Sequence, residues 1–316
     1  MTTYALIFII PTLAVMLDTL FGDPKHLPHP VRLIGAGLEW CEKTIRASGL
    51  DLRLAGWLTV FLFAAGVWGL VELLMNIPYL GVLIGLYLAY AGLARGCLIR
   101  ESRKALSLIE SNNLDAARTA VSMLVSRDTR NLDAEALRQT LAETVSENLN
   151  DGFVAPLFYL CLLGPGGLWA YKTVSTMDSM WGYRTERFND LGQGAAKTDD
   201  ILAWIPARIT AYLMLIAAIG RGLDISSAKK QYKNDARKME SPNAGWPMAT
   251  AAWLLRGHMG GPTVYFGQIK DKPSLGPVGK VWNAAMAQRL ITLCDRTGSL
   301  AAWVFIPVLG ICSLIF

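Results

Sequence analysis

Glu143, Glu147 and Asp151 stand four residues apart in AETVSENLNDG, residues 142–152. On a helix they share one side, where like charges repel unless a cation or arginines neutralise them. Magnesium suits such a place, because it prefers oxygen ligands and commonly joins one or two carboxylates to substrate phosphates. A solvated face making salt bridges is the ordinary reading of an isolated E-x-x-x-E. Asn148, which falls inside the helix's apolar sector, and the apolar run that follows favour a functional one. Arg127 and Asp128 lie upstream in Ser126-Arg127-Asp128-Thr129.

Three further groups have residue types suited to chemistry. In STMDSMWGYR, and then AAKTDD, the acids Asp178, Asp199 and Asp200 accompany Arg184, Arg187 and Lys197. Arginine grips phosphate through two parallel hydrogen bonds, whereas Asp199 and Asp200 also suit the cap of a following helix. Ser241-Pro242-Asn243-Ala244-Gly245-Trp246-Pro247, with Gly260-Gly261-Pro262, is a loop able to present backbone N–H groups and an amide to an anion. The fourth group runs from Asp23 to His29, Pro30 and Arg32. With histidine only at 26, 29 and 258, a His-rich metal site is not expected. The phosphate loop GxxxxGKS/T, GxGxxG, GxSxG and HExxH are all absent.

The elements that must hold these residues are apolar. The 316 residues are 53% hydrophobic and 17% charged, against about 25% charged in an ordinary soluble domain. Leu54–Met75 and Pro78–Ile99 are each long enough to cross a bilayer, which needs roughly 20 residues. Tyr4–Leu17, Gly152–Val174, Ile201–Gly220 and Leu300–Phe316 are further candidates. The fold expected is therefore all-α and polytopic, a single membrane-embedded domain over 1–316 with five or six membrane segments. One or two of these are broken or re-entrant, because Gly164-Pro165-Gly166-Gly167 interrupts 152–174 and Pro206 and Arg208 interrupt 201–220. The first of these segments either crosses fully or returns to its side of entry, and charge counting does not decide between them. Cytoplasmic helices are expected in 101–127, broken at Ser111-Asn112-Asn113, and from Asp133 to about Asn150. From about 223 to 277 a short helical stretch mixes with turns.

Lys and Arg gather in 21–53, 100–151, 172–200 and 221–299 and avoid the 76–77 connection. The positive-inside rule makes the basic stretches cytoplasmic. No leader peptide is expected. The scattered cysteines 41, 97, 161, 294 and 312 suggest small apolar fillers in a reducing compartment. Nothing alternates basic and aromatic residues as nucleic-acid grooves do, so no nucleic-acid partner is expected.

In order along the chain, GDPKHLPHPVRLIG, SRDT, ETVSENLNDGFVAPLFY, YKTVSTMDSMWGYR, DDILAWIPARI, SPNAGWP and GGPTVYFG resemble the adenosylcobinamide-phosphate synthase family, the CobD/CbiB membrane proteins of cobalamin biosynthesis. The resemblance covers most of the chain; Ser126, Ser175 and the Met248-Ala249-Thr250 that follows SPNAGWP depart from the family's usual residues. It implies a ligase that uses ATP and Mg2+ to join adenosylcobyric acid, a cobalt corrinoid, to (R)-1-aminopropan-2-ol phosphate, giving adenosylcobinamide phosphate. It implies a multi-pass inner-membrane enzyme with a cytoplasmic site, in a lipid bilayer that it can share with other cobalamin-assembly enzymes. On this reading Glu143, Glu147, Asp151, Asp178 and Asn148 are catalytic. Arg127, Asp128, Lys172, Arg184, Arg208, Asn243, His29 and Arg32 bind substrate or phosphate, and Glu143, Glu147, Asp151, Asp199 and Asp200 serve the metal. A non-catalytic sensor or transport protein on the same scaffold, or a Mg2+-dependent membrane transferase, remains the alternative.

Overall fold

The computed structural model describes residues 3–23, 29–183, 185–265 and 268–312. In chain order these form α1 (Thr3–Phe21), α2 (Pro30–Ser48), α3 (Leu52–Met75), α4 (Gly81–Ala91), α5 (Arg95–Glu110), α6 (Leu114–Ser122) and α7 (Ala134–Leu149). A π-helical turn (Asn150–Val154) leads into α8 (Ala155–Trp181), α9 (Gln193–Leu202), α10 (Trp204–Ala217), α11 (Ile225–Ala236) and α12 (Gly245–Leu255). Strands β1 (Met259–Tyr265) and β2 (Gln268–Leu275) precede the last helix, α13 (Ala284–Cys312). The chain divides into two compact units: Met1–Ala94, Ala155–Ala203 and Ala302–Phe316 form the first, and Arg95–Val154 and Trp204–Ala301 form the second.

The first unit carries the lipid-facing signature. Asp51 caps α3 by accepting from the Leu54 N–H at 2.8 Å, and no further charge follows Arg53 until Glu72. Only 11% of the helix's most apolar window is buried, and Leu54, Leu58, Phe61, Leu62, Leu70 and Leu73 are exposed. Each such side chain costs roughly 1.5–3 kcal/mol in water compared with burial, a cost that a bilayer removes. Glycines pack this unit closely, and a Cβ on Gly56 would sit 2.1 Å from the Leu191 carbonyl.

The span count differs from expectation. Among the described residues, Leu52–Met75, Gly81–Glu110 and Ala134–Trp181 are long and apolar enough to cross, or four spans if α9 and α10, bent by 44°, count as one. Five or six were expected. The apolar part of the first helix, Leu6–Phe21, falls short of the length required. In α13 the first half carries Arg289, Asp295 and Arg296, leaving too short an apolar stretch before the described residues end at Cys312.

The interrupted segment turns back. Gly164 has φ 70° and ψ −171°, a region open essentially to glycine alone. Twelve residues of continuous helix would separate Tyr159 from Tyr171 by roughly 18 Å. Their rings instead stack at 5.0 Å and 16°. The two halves of α8 therefore fold against each other about Gly164, the bend that a re-entrant segment requires, and Ala134–Trp181 is no single rod.

In the second unit the local signals act as the sequence suggests. Asn113 caps α6, and Asp133 caps α7 by accepting from the Ala136 N–H at 2.8 Å. Leu137, Leu141, Val145 and Leu149 form the fully buried stripe of α7. One element departs from the expected helices and turns: β1 and β2 pair as an antiparallel hairpin, with an irregularity between Met259 and Gly261. The alternation that marks a strand was masked by Gly260-Gly261-Pro262 and Pro273, which read as turn chemistry.

Candidate active site

Glu143 is 1% exposed and both of its oxygens are engaged. Arg127 donates through Nη2 to Oε2, while Oε1 accepts from Gln139 Nε2 at 3.0 Å and from the Gly260 N–H at 2.9 Å. Gln139 also donates to the Gly260 carbonyl at 2.8 Å, and Arg127 Nη1 donates to Thr140 Oγ1 at 3.2 Å. The hairpin thus docks its backbone onto the helix acid. Gly260 is required there, since its φ is 90° and a Cβ would meet the Pro273 carbonyl at 2.1 Å. A charge so fully enclosed persists because it is paired and hydrogen-bonded.

One turn further on, Glu147 is half-buried and, among the described residues, its carboxylate accepts no hydrogen bond and forms no ion pair within 4 Å. It lies in the field of Glu143, Arg127 and Lys272. Asn148 beside it is likewise half-buried with no hydrogen-bonded partner among the described residues. The π-helical turn then begins. Such turns interrupt the i to i−4 ladder and recur at functional sites. Here Asn150 donates to Asp151 Oδ1 at 2.7 Å and accepts from Thr210 Oγ1 at 2.9 Å, fixing the turn to α10.

Arg208 and Asn243, which come from separate sequence blocks, meet. The Arg208 guanidinium lies between the rings of Trp204 and Trp246, 3.9 and 4.4 Å from their centroids. It donates to the Trp204 carbonyl at 2.7 Å, to Asn243 Oδ1 at 3.4 Å and to the Pro242 carbonyl at 3.5 Å. Ser241 Oγ accepts from the N–H groups of Asn243 and Ala244, so the SPNAGWP stretch is a closed turn clamped by arginine. A cavity of about 350 Å³ lies against it, lined by Trp204, Arg208, Arg237, Glu240, Pro242 and Trp246 among others. Asp128, expected to serve substrate, is held by Arg130, whose hydrogen bonds bring its carboxyl down to about 2.

In the first unit, His29 caps α2: its Nδ1 accepts from the Val31 N–H at 3.4 Å and its ring meets the edge of Trp169 at 6.5 Å. Arg32 of the same stretch and Lys172 from a distant block are its basic neighbours, so two separate blocks bring three basic residues together. Burial, more than these cations, pushes the imidazole below its usual pKa, against an opposing pull from Asp23. Asp178 lies in the field of Asp200, and Tyr159 in that of Asp199. Arg184 lies outside the described residues.

Among the described residues no three of His, Cys, Asp and Glu come together closely enough to hold a metal. The oxygen donors fit Mg2+ only as a site of one or two carboxylates completed by substrate phosphates. Glu147 and Asp151 suit that role; Glu143, already satisfied by protein donors, suits the role of anchor. Gly260 was expected in a loop able to present backbone N–H groups to an anion, whereas Gln139, Lys272 and Thr210 were missed in the sequence. Gln139 alone left a signal, four residues before Glu143 on the same helix face.

The profile of the CobD/Cbib protein family matches residues 11–294. The chain belongs to this family. It is 36% identical over 303 residues to cobalamin biosynthesis protein CobD of Klebsiella pneumoniae subsp. pneumoniae, covering 93% of this chain and 95% of that protein. The namesake from Geobacter metallireducens is 39% identical over 268 residues, 83% of this chain and 84% of the relative. That from Listeria monocytogenes serotype 4b is 35% identical over 311 residues, 96% and 98% of the two chains. No solved structure matches the chain.

Proposed function

We propose that this chain acts in cobalamin biosynthesis as an amide-forming ligase, joining adenosylcobyric acid to (R)-1-aminopropan-2-ol phosphate at the expense of ATP. Family membership supports the pathway, and the relatives carry it in their names. The observation behind the chemistry is Glu147, a half-buried acid without a hydrogen-bonded partner, beside an acid already neutralised by arginine and close to Lys272.

A carboxylate acylates poorly at neutral pH, so the reasonable route forms an acyl phosphate. Such transfers depend on positioning and charge stabilisation more than on a protein nucleophile. Mg2+ bound with nucleotide would supply charge neutralisation of the phosphates. Glu147 and Asp151 are assigned as the protein's oxygen ligands to it. Arg127, fixed by Glu143, and Lys272 provide positive potential for the phosphoryl oxygens. Asn148 offers an amide able to hydrogen-bond a reacting group. The amine must be deprotonated before it attacks, a step that one acid of the site performs as base. In the first unit, His29, Arg32 and Lys172 are assigned to a phosphate ester. Asp178, Asp199 and Asp200 remain candidates for substrate or metal contacts there. The positive-inside pattern assigns the basic connections, and with them the site, to the cytoplasmic face of an inner membrane.

The test is product formation from ATP, Mg2+ and both substrates by Glu147→Gln and Asp151→Asn. A loss of about 100-fold or more with unchanged thermal stability is expected, the scale set by lost acid–base catalysis. Turnover at the native level in a folded variant would remove the assignment. The re-entrant α8 and the cavity of about 360 Å³ beside its break, lined by Glu72, Cys161 and Pro165 among others, suit a transport protein instead. Corrinoid binding without turnover under any ATP condition would favour that reading.

A further inference from the structure

The second unit contains a basic cleft with no part in the ligase reading. Arg221, at the end of the turn after α10, faces Arg289 and Arg296 of α13 across a cavity of about 180 Å³, with Ala217, Leu223 and Leu293 among its lining. Gln288 and Thr292 stand on the same face of α13. Arg289 Nη2 donates to the carbonyls of Arg221 and Gly222, at 2.8 and 2.9 Å, which ties the two elements together. Among the described residues no carboxylate lies within 4 Å of any of these three guanidinium groups. The nearby acids are committed elsewhere. Asp224 caps α11 through Ser227 and faces Arg256, and Asp295 pairs with Arg95 and Arg103.

Three like charges around one cleft repel unless an anion sits among them. Phosphate is the anion whose oxygens suit several arginines at once. A second observation specifies the rest of the molecule. Tyr212 and Ile216 of α10 and Ile219 in the turn that follows are exposed, an apolar stripe that starts on α10 and ends two residues before Arg221. Cations just beyond such a stripe match a polar headgroup above its acyl chains.

We propose that this cleft binds the phosphate of an anionic phospholipid, with the acyl chains lying along the α10 stripe. Arg221 and Arg296 contact the phosphate, and Arg289 holds the cleft in shape. The site and its ligand are independent of the proposed ligase reaction.

The test uses the full chain in neutral detergent, titrated with phosphatidylglycerol or phosphatidylcholine and followed by native mass spectrometry. Phosphatidylglycerol is expected to bind at least about tenfold more tightly. The double variant Arg221→Gln with Arg296→Gln is expected to remove most of that difference, since each cation near an anionic lipid surface contributes several-fold. Both side chains are exposed, so unchanged thermal stability in the variant serves as the folding control. Equal binding of the two lipids, or full retention of phosphatidylglycerol by the variant, overturns the site. Displacement of the lipid by inorganic phosphate at matching concentration overturns the lipid assignment in favour of a soluble phosphate.

Discussion

Replacing Glu143 with alanine removes the carboxylate paired with Arg127 Nη2, on a side chain only 8% exposed. Breaking a buried pair from one side typically costs about 3–5 kcal/mol. The Ala variant should accordingly unfold far below the native chain in a detergent melt, and the Gln variant between the two. Glu42 offers the corresponding test in pH. Its burial alone would raise the carboxyl, but hydrogen bonds from Arg187 and Arg46 outweigh it and hold the group below its usual value. A depressed carboxyl stabilises the fold above its ordinary pKa of about 4.3 and loses that contribution as pH falls through the folded value. The gap in melting temperature between the native chain and Glu42→Gln should stay flat from about pH 8 to 5 and close below about pH 4. Residue types were legible at this scale while their partners were not. The spacing of Glu143, Glu147 and Asp151 marked the candidate site. That the first is satisfied and the second is not depends on Arg127 and Gly260, which are 16 and 117 positions away from Glu143.

Among the elements, α8 turns on a single residue. A Cβ at Gly164 would meet nothing within 4 Å, so only the backbone resists substitution. Gly164→Ala should cost about 1–3 kcal/mol through that backbone alone. Cysteines at 159 and 171 in a cysteine-free background should cross-link through a short bifunctional maleimide, whereas in a straight helix they would not. The string GPGG announced a break, and its caps and stripe announced α7. The direction taken after the break was hidden, because a glycine permits both courses and only the ring contact between Tyr159 and Tyr171 distinguishes them. The β1–β2 hairpin was hidden for the opposite reason: its glycines and prolines serve backbone docking onto α7 while imitating loop composition.

For the molecule as a whole, the membrane class was legible in composition, and the number of spans was not. Length and hydropathy count α1 and the end of α13 as candidates, yet neither sustains enough apolar helix among the described residues. Sidedness is open to direct measurement. Tyr79, 99% exposed in the short connection after α3, should react as Tyr79→Cys with a membrane-impermeant maleimide added to intact cells. A cysteine at Asp133, in a basic stretch, should react only after lysis. Labelling in the reverse order would invert the assigned orientation.

The interleaving of the two units along the chain has a consequence for biogenesis. Residues 302–316 complete the first unit, although its opening segment, through Ala94, leaves the ribosome some two hundred residues earlier. At the 5–20 residues per second of synthesis, that interval lasts on the order of ten seconds or more. During this time α1 to α4 lack their last helical neighbour, while the second unit needs nothing beyond Ala301. Insertion machinery or a holding chaperone must therefore shield the earliest helices the longest, and cutting the gene at any one point leaves at least one unit unfinished.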